Sequence, residues 1–299
     1  MKFDVVYTWV DGSDPDYMAK CKRYAGQKKD TNPERYRDNF DLIKYSIRSL
    51  ERYFGSFRHL FILTARPQVP AWCDTGHDRL TVVHHDEVIP GRYLPTFNSN
   101  VIESFIHRIP GLSDNFLYMN DDFLFGNPVS TDTFYRDGKY RIFNTLFGEN
   151  LSWRIFDGFM DIIGLGIIEH SPMIVNKRYW QQAYRLFPEE VERTRRSRFR
   201  DDKNICPYKL YRYYMLKYHR EESMPVPINE LIKEFTFHKL TNNLEKQQKF
   251  IQKMKQSCPD YYCLNDDLGE DPSPDVVRLV TSFLKQKYPE PSGFENGNG

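Results

Sequence analysis

The sequence has no long hydrophobic run. Its longest aliphatic stretch, residues 162–168, is far shorter than the roughly 20 residues that a membrane-spanning helix needs. The first residues, MKFDVVYTWVDG, hold Asp4 and Asp11 within a short apolar segment, which is unlike a secretory signal peptide. Positive and negative charges nearly balance, with 42 Lys plus Arg against 41 Asp plus Glu, so the net charge gives no reason to expect nucleic acid as a partner. We therefore expect a folded protein without a spanning helix.

Cysteine pairs and several common catalytic motifs are also missing. The five cysteines are scattered and show no C-x-x-C spacing, which predicts reduced thiols in a cytoplasmic protein rather than a disulfide framework or a zinc site. The sequence has no P-loop GxxxxGK[ST], no G-x-S-x-G elbow and no H-E-x-x-H. These absences disfavour a P-loop kinase, an α/β-hydrolase and a zinc protease.

Apolar segments of two kinds alternate along the first half of the chain. Short β-branched and aromatic runs predict four strands, at residues 3–10, 60–63, 80–83 and 116–119. Apolar residues with a helical period predict one helix from Asp38 or Asn39 to about Phe54, and another from Asn98 or Ser99 to Ile109. This alternation is typical of an α/β fold. We predict one domain over 1–299, with an α/β half at 1–150 and a mostly helical half at 151–299.

Polar residues follow three of these strands directly, and those after the third strand are His84, His85 and Asp86. Asn120, Asp121 and Asp122 come after the fourth strand, where open α/β sheets hold their ligands. Two carboxylates and an amide are oxygen ligands suited to a hard divalent cation, but the same triplet is typical of a capped turn. The loop after the first strand, with Asp11 and Ser13, poses the same choice between a ligand site and a turn. The residues alone leave both choices open.

A run of arginines and several histidines complete the candidate chemistry. The run comprises Arg193, Arg195, Arg196, Arg198 and Arg200. It contains no lysine, and guanidinium groups suit bidentate phosphate binding, although most charge runs are solvated faces. Candidate bases are His84, His85, His107, His170 and His238. Among them we favour His170, which follows an apolar run and precedes the arginines, over the structural role that a lone histidine more often has. Metal, arginine and base together are the components of phosphoryl transfer.

Four blocks of the sequence resemble, in order, the conserved regions of the Stealth family of sugar-phosphate transferases. The first is DVVYTWVDGSDP at 4–15, and the second runs from RDNFDLIKYSIRSLERY at 37–53 to LPTFNSNVIESFIHRIPGLSDNFLYMNDDFLFG at 94–126. The third joins HSPMIVNK to FPEEVERTRRSRFR within 170–200, and the fourth joins CLNDD at 263–267 to YPEPSGFE at 288–295. The blocks span nearly the whole chain, and the first two are too long and specific to match by chance.

The resemblance implies a Rossmann-like nucleotide-sugar-binding core with a more helical C-terminal part, a divalent metal that is Mg²⁺ or Mn²⁺, and a UDP-sugar donor. By position, Asp121 and Asp122 would hold the metal, and Asp122 would also be catalytic. The substrate-binding residues would be Asp11, Ser13, Arg37, Asn98, Ser99 and Glu103. His170 would be the general base. The third block has RRSRFR where relatives often show S-x-H-R-F-R, which leaves the phosphate clamp to Arg198 or Arg200.

We therefore predict transfer of hexose-1-phosphate or N-acetylhexosamine-1-phosphate from a UDP-sugar to a sugar hydroxyl, with release of UMP. The acceptor would be a glycan or a lipid-linked saccharide in capsule or exopolysaccharide synthesis. The compact chain lacks the large insertions of the lysosomal relative, which favours a bacterial enzyme, cytoplasmic or peripheral at the inner membrane. The alternatives are a metal-dependent glycosyltransferase that releases UDP and a non-catalytic glycan- or nucleotide-binding module.

Overall fold

We describe the fold from a computed structural model, which covers residues 3–26, 36–38, 40–145 and 171–297. The strands within these residues are β1 (Phe3–Thr8), β2 (Phe57–Thr64), β3 (Leu80–His84), β4 (Asn115–Asn120), β5 (Phe123–Phe125), β6 (Tyr135–Arg136), β7 (Lys139–Thr145), β8 (Met173–Asn176), β9 (Ser223–Pro227), β10 (Phe235–Leu240) and β11 (Tyr261–Asp266). The helices are α1 (Pro15–Ala25), α2 (Leu42–Phe54), α3 (His85–Val88), α4 (Ser99–Glu103), α5 (Lys177–Ala183), α6 (Pro188–Arg196), α7 (Pro207–Tyr218), α8 (Ile228–Glu234), α9 (Leu244–Gln256) and α10 (Pro274–Lys287).

The largest sheet has five strands in the order β3-β2-β1-β4-β8. Strands β1 to β4 are mutually parallel, and β8 is antiparallel to β4. The chain moves outward from β1 through β2 to β3 and then returns to place β4 on the other side of β1. This reversal between β1 and β4 is the topological switch point at which open α/β sheets bind ligands. The predicted α/β, Rossmann-like class is confirmed.

Two smaller sheets join the halves of the chain. One has the order β10-β11-β5, with β10 and β11 parallel and β5 antiparallel, and the other has the order β6-β7-β9. Strand β5 from the first half thus pairs in a sheet of the second half, while β8 from the second half pairs with β4. The described parts of the two halves exchange strands and share their core.

Helix α2 begins later than the sequence predicts. It starts at Leu42, while the carboxylate of Asp38 accepts a hydrogen bond from the Leu42 amide at 2.7 Å. The other predicted cap, Asn39, lies outside the described residues. The predicted apolar stripe is buried, and its last member, Phe54, stacks on Phe125 of β5 with ring centroids 5.8 Å apart. This packing joins α2 to the small sheet next to β4.

Helix α4 ends earlier than the sequence predicts. It stops at Glu103, and a separate 3-10 turn covers Ile106–Arg108. The Trp180 indole N–H donates to the Glu103 carbonyl at 3.2 Å, and the Arg195 guanidinium donates to the Ser104 carbonyl at 3.3 Å. A continuous helix would use both carbonyls internally. Tertiary contacts that apolar periodicity does not reveal therefore end this helix.

The 3-10 turn carries a histidine that resists protonation. Burial, followed by the charges of Arg195 and Arg108, lowers the pKa of His107 to about 4 from its ordinary 6.5. The unfolded chain therefore binds a proton near pH 6.5 that the folded chain takes up only near pH 4. Stability must fall as the pH drops through this window, because the unfolded state binds more protons there.

We expect His107→Gln to remove part of this acid sensitivity. From the two pKa values, the neutral imidazole contributes about 2 kcal/mol to the difference in unfolding free energy between pH 7 and pH 5. Urea unfolding of the parent and the variant at both pH values measures that difference. Values at pH 8, where the imidazole is neutral in both states, provide the baseline. Identical pH dependence in the two proteins would show that His107 does not titrate as described.

Within the described residues, no helix is both long and apolar enough to cross a membrane.

Candidate active site

A cavity of about 370 Å³ opens at the switch point of the main sheet. Its walls come from the carboxyl ends of parallel strands in two sheets. The main sheet contributes Thr8, Trp9, Val10, Asn120, Asp121 and Asp122, and the β10-β11 pair contributes Lys239, Asn265, Asp266 and Asp267. The cavity is therefore polar where β4 and β11 end, and it forms where backbone groups at strand ends are available for ligands.

The two aspartates after β4 are held in an electrostatically unfavourable place. Burial, then the charge of Asp122, then that of Asp38, raises the pKa of Asp121 well above its ordinary value. Burial is also the main reason why the pKa of Asp38 rises to about 6. Two residues of β11 hold Asp122 in place. Its Oδ2 accepts a hydrogen bond from the thiol of Cys263 at 3.2 Å, and its carbonyl accepts one from the Leu264 amide. Carboxylates that repel one another are concentrated at one end of the cavity.

The donor set at this end suits a divalent cation that is shared with a substrate. The two charged groups that raise the pKa of Asp121 are carboxylates, and a cation would offset the repulsion among them. Within the described residues, no group of three or more His, Cys, Asp or Glu side chains forms a metal site by itself. Mg²⁺ commonly takes one or two protein carboxylates and completes its shell with substrate phosphates and water. Asp121 and Asp122 fit that kind of site.

Helix α4 brings two of the predicted substrate-binding residues to the cavity. Ser99, its first residue, and Glu103, its last, both line the wall. Glu103 is only 3% exposed, and its charge adds to burial in raising the pKa of the neighbouring Tyr118 hydroxyl. The Ser99 hydroxyl accepts from Arg200 Nε at 3.1 Å and from Arg200 Nη2 at 2.5 Å. The guanidinium is thereby oriented at the rim of the cavity.

Asn98 connects the arginine run to α4. Its Nδ2 lies 2.9 Å from the Ser197 carbonyl, 3.0 Å from the Phe199 carbonyl and 2.7 Å from Asn204 Oδ1, and its Oδ1 caps the helix. The side chain is fully buried and is absent from the cavity lining. Asn98 therefore supports the segment that carries Arg200. The sequence predicts a different role for Asn98, which is direct contact with the substrate.

Only one of the five clustered arginines lines the cavity. Arg200 does so, whereas the Arg198 guanidinium lies over the ring of Tyr24, 4.9 Å from its centroid. Arg195 packs on Phe105, and Arg196 pairs with Glu192 one helical turn away. The structure thus separates the two clamp candidates and brings Arg200 to the carboxylates' cavity.

Arg37 lines the cavity, but its charge is already paired. Its guanidinium makes a bidentate ion pair with Asp266, at 2.7 and 2.8 Å, and also donates to the Gly269 carbonyl. Both side chains of the pair are 9% exposed. The pair joins residues 36–38 to the end of β11, so Arg37 shapes the cavity wall beside the second sheet.

The loop after β1 forms the local turn that the sequence allows. Asp11 Oδ1 accepts from the amide of Ser13 at 2.7 Å and from its hydroxyl at 2.6 Å, and neither residue lines the cavity. A Cβ on Gly12 would lie 2.6 Å from the backbone of Tyr36, so glycine permits residues 36–38 to approach this loop. The nucleotide-binding role of Asp11 and Ser13 stays a prediction.

Several lining residues were not assigned a site role from the sequence. They are Trp9, Lys239, Asn265, Asp266 and Asp267. The last three belong to the CLNDD block, but the sequence does not show that this block meets the others at one cavity. His85, one of the candidate bases, also lines the cavity. The preferred base, His170, lies outside the described residues.

Sequence models of four conserved regions of one family match this chain in order. Stealth protein CR1, conserved region 1, matches residues 1–29, and CR2, conserved region 2, matches residues 35–142. Stealth protein CR3, conserved region 3, matches residues 169–217, and CR4, conserved region 4, matches residues 252–299. Together the matches cover most of the chain, including every described wall of the cavity except Lys239.

Similar proteins include an exopolysaccharide phosphotransferase of Streptomyces coelicolor, 33% identical over 98% of this chain and 52% of the relative. The exopolysaccharide phosphotransferase CpsY of Mycobacterium tuberculosis is 32% identical over 98% of this chain and 58% of its own length. The chain thus spans little more than half the length of these relatives. Among solved structures, the bifunctional glycosyltransferase WbbM matches 97% of this chain and 50% of its own, with a TM-score of 0.50 and 9% identity. That likeness concerns the fold alone.

Proposed function

The chain belongs to the Stealth family, and from this premise we propose that it transfers a sugar-1-phosphate from a UDP-sugar to a hydroxyl of a glycan or lipid-linked saccharide. The phosphodiester product would serve exopolysaccharide or capsule synthesis, as the names of similar phosphotransferases suggest. One observation carries the proposal: a single cavity at the switch point joins the buried Asp121-Asp122 pair to the guanidinium of Arg200.

The two ends of this cavity suit the charges of a nucleotide diphosphate. Asp121 and Asp122 would hold Mg²⁺ or Mn²⁺, which when bound supplies positive charge for the diphosphate oxygens. Arg200, oriented by two hydrogen bonds to Ser99, presents a guanidinium that can bind phosphate oxygens through paired N–H groups. Because Arg200 is oriented by Ser99 before the substrate arrives, this side chain needs little reorganisation when charge develops on the phosphoryl group.

The reaction that we propose conserves atoms and charge in one displacement. The acceptor hydroxyl oxygen bonds to the β-phosphorus of the UDP-sugar, and the bond from that phosphorus to the oxygen bridging the two phosphates breaks. UMP leaves with the bridging oxygen, and the acceptor proton passes to a base, for which His170 remains our prediction. Glu103 lines the cavity wall, and in this proposal its carboxylate would accept hydrogen bonds from sugar hydroxyls.

The products of the reaction test this proposal. The protein is incubated with a panel of UDP-sugars, a saccharide acceptor and Mg²⁺ or Mn²⁺, and the released nucleotides are separated by chromatography. We expect UMP, formed only when acceptor and metal are both present. Release of UDP would instead establish a glycosyltransferase. Metal-dependent donor binding without any nucleotide product would instead indicate a binding module.

A further inference from the structure

The cavity also has a wall on the β3 side of the main sheet, away from β4. Strand pairing aligns Asn120 with Thr8, Thr8 with Leu63, and Leu63 with Val83, so β4 and β3 stand three strand positions apart. At the usual spacing between strands, this separation is about 14 Å. His85, two residues beyond Val83, lines the cavity at the β3 end, and Asp122, two residues beyond Asn120, lines it at the β4 end.

An aromatic and an apolar residue lie on the wall between the β3 and β4 ends. Trp9 and Val10 follow β1 and line the cavity, and the Trp9 indole N–H donates to the Asp38 carboxylate at 3.3 Å. His85 is 5% exposed, and its Nε2 is buried with no hydrogen-bond partner among the residues that the structure describes. A buried polar atom without a partner is costly, which favours its use by a ligand.

The protonation state of His85 restricts its role. Burial, followed by the charge of His84, lowers the pKa of the imidazole to about 3. The ring is therefore neutral at physiological pH and is a poor acceptor of a full proton, which disfavours the general-base role that the sequence left open. A neutral imidazole still donates or accepts one hydrogen bond at Nε2.

We propose that His85 recognises the nucleobase of the nucleotide-sugar donor through Nε2, with Trp9 on the wall between His85 and the carboxylates. A nucleoside diphosphate has a charged end and a flat, neutral end with hydrogen-bonding edges, and the two ends of the cavity match them in that order. Aromatic side chains commonly pack against bases in such sites. This inference rests on the proposed function, because the donor is taken to be a nucleotide.

Calorimetric binding of two probes, UDP and inorganic pyrophosphate, tests the inference in the presence of Mn²⁺. His85→Phe retains an aromatic ring but has no ring nitrogen, so we expect it to weaken UDP binding about tenfold and to leave pyrophosphate binding unchanged. His85→Gln, which restores a hydrogen-bonding group, should recover most of the UDP affinity. His107→Phe, at a half-buried histidine outside the cavity, is the matched control and should bind both probes like the parent.

Equal UDP affinity of the parent and His85→Phe would overturn the inference. An equal loss of affinity for UDP and for pyrophosphate would also overturn it. Unchanged pyrophosphate binding by His85→Phe also shows that the variant is folded. The proposed function fails in a different way. If the parent binds UDP with the expected dependence on His85 but releases UDP rather than UMP from the donor, nucleobase recognition stands and sugar-phosphate transfer does not.

Discussion

Replacing Asp121 with Asn is expected to lower turnover about a hundredfold or more while raising the unfolding temperature of the metal-free protein. The loss follows because the diphosphate would lose a carboxylate that holds its metal ion. The gain follows because burial and the charges of Asp122 and Asp38 make the ionised form of Asp121 unfavourable, and asparagine is neutral. Steady-state rates and thermal unfolding in chelator, measured on the same preparations, show both effects.

The opposite end of β4 offers a matched control. Asp114 immediately precedes the strand, and its side chain is 85% exposed. Asp114→Asn should therefore change neither turnover nor metal response. With the parent, added Mn²⁺ should raise the unfolding temperature, and with Asp121→Asn this rise should shrink. A variant of Asp121 that is less stable in chelator yet normally active would contradict the assignment of this aspartate to the site.

Replacing Arg200 with Ala is expected to reduce turnover about a hundredfold, with little change in stability. The guanidinium is exposed at the cavity rim and is bonded to one hydroxyl, so its removal disturbs no packing. Arg200→Lys should recover only part of the rate, because an ammonium group keeps the charge but loses the paired N–H geometry. Initial rates at saturating donor and acceptor measure the effect.

Two other arginines of the same run serve as controls. Arg196 is exposed and pairs with Glu192, and Arg198 lies over Tyr24. Arg196→Ala should leave the rate unchanged, since exposed ion pairs of this kind contribute little. Arg198→Ala decides between the two clamp candidates. A larger loss from Arg198→Ala than from Arg200→Ala would assign the phosphate clamp to Arg198.

The sequence predicts the main sheet well because its strands are buried and their local pattern is strong. Runs such as Phe116–Met119 are apolar throughout and are followed at once by polar residues, which also locates the switch-point end of the sheet. The length of α4 escapes prediction for a physical reason. Side chains from residues far along the chain, Trp180 and Arg195, take the carbonyls that would have continued it.

The site could be predicted only in part, because its walls meet through tertiary structure. Asp121 and Asp122 follow a strand and are recognisable locally, and α4 supplies Ser99 and Glu103. Lys239 carries no motif, and it reaches the cavity because β10 is parallel to β11 in a second sheet. Conversely, the arginine run suggests one phosphate-binding cluster, but the side chains diverge and most of them pack elsewhere.

The fate of the donor's β-phosphorus tests the central claim most directly. A UDP-sugar labelled with ³²P at the β-phosphate is incubated with the protein, the metal ion and the acceptor, and the label is then followed in the glycan and nucleotide fractions. Sugar-phosphate transfer predicts that the label enters the glycan in step with the release of unlabelled UMP. Label that remains in UDP while the sugar reaches the acceptor would contradict the proposal.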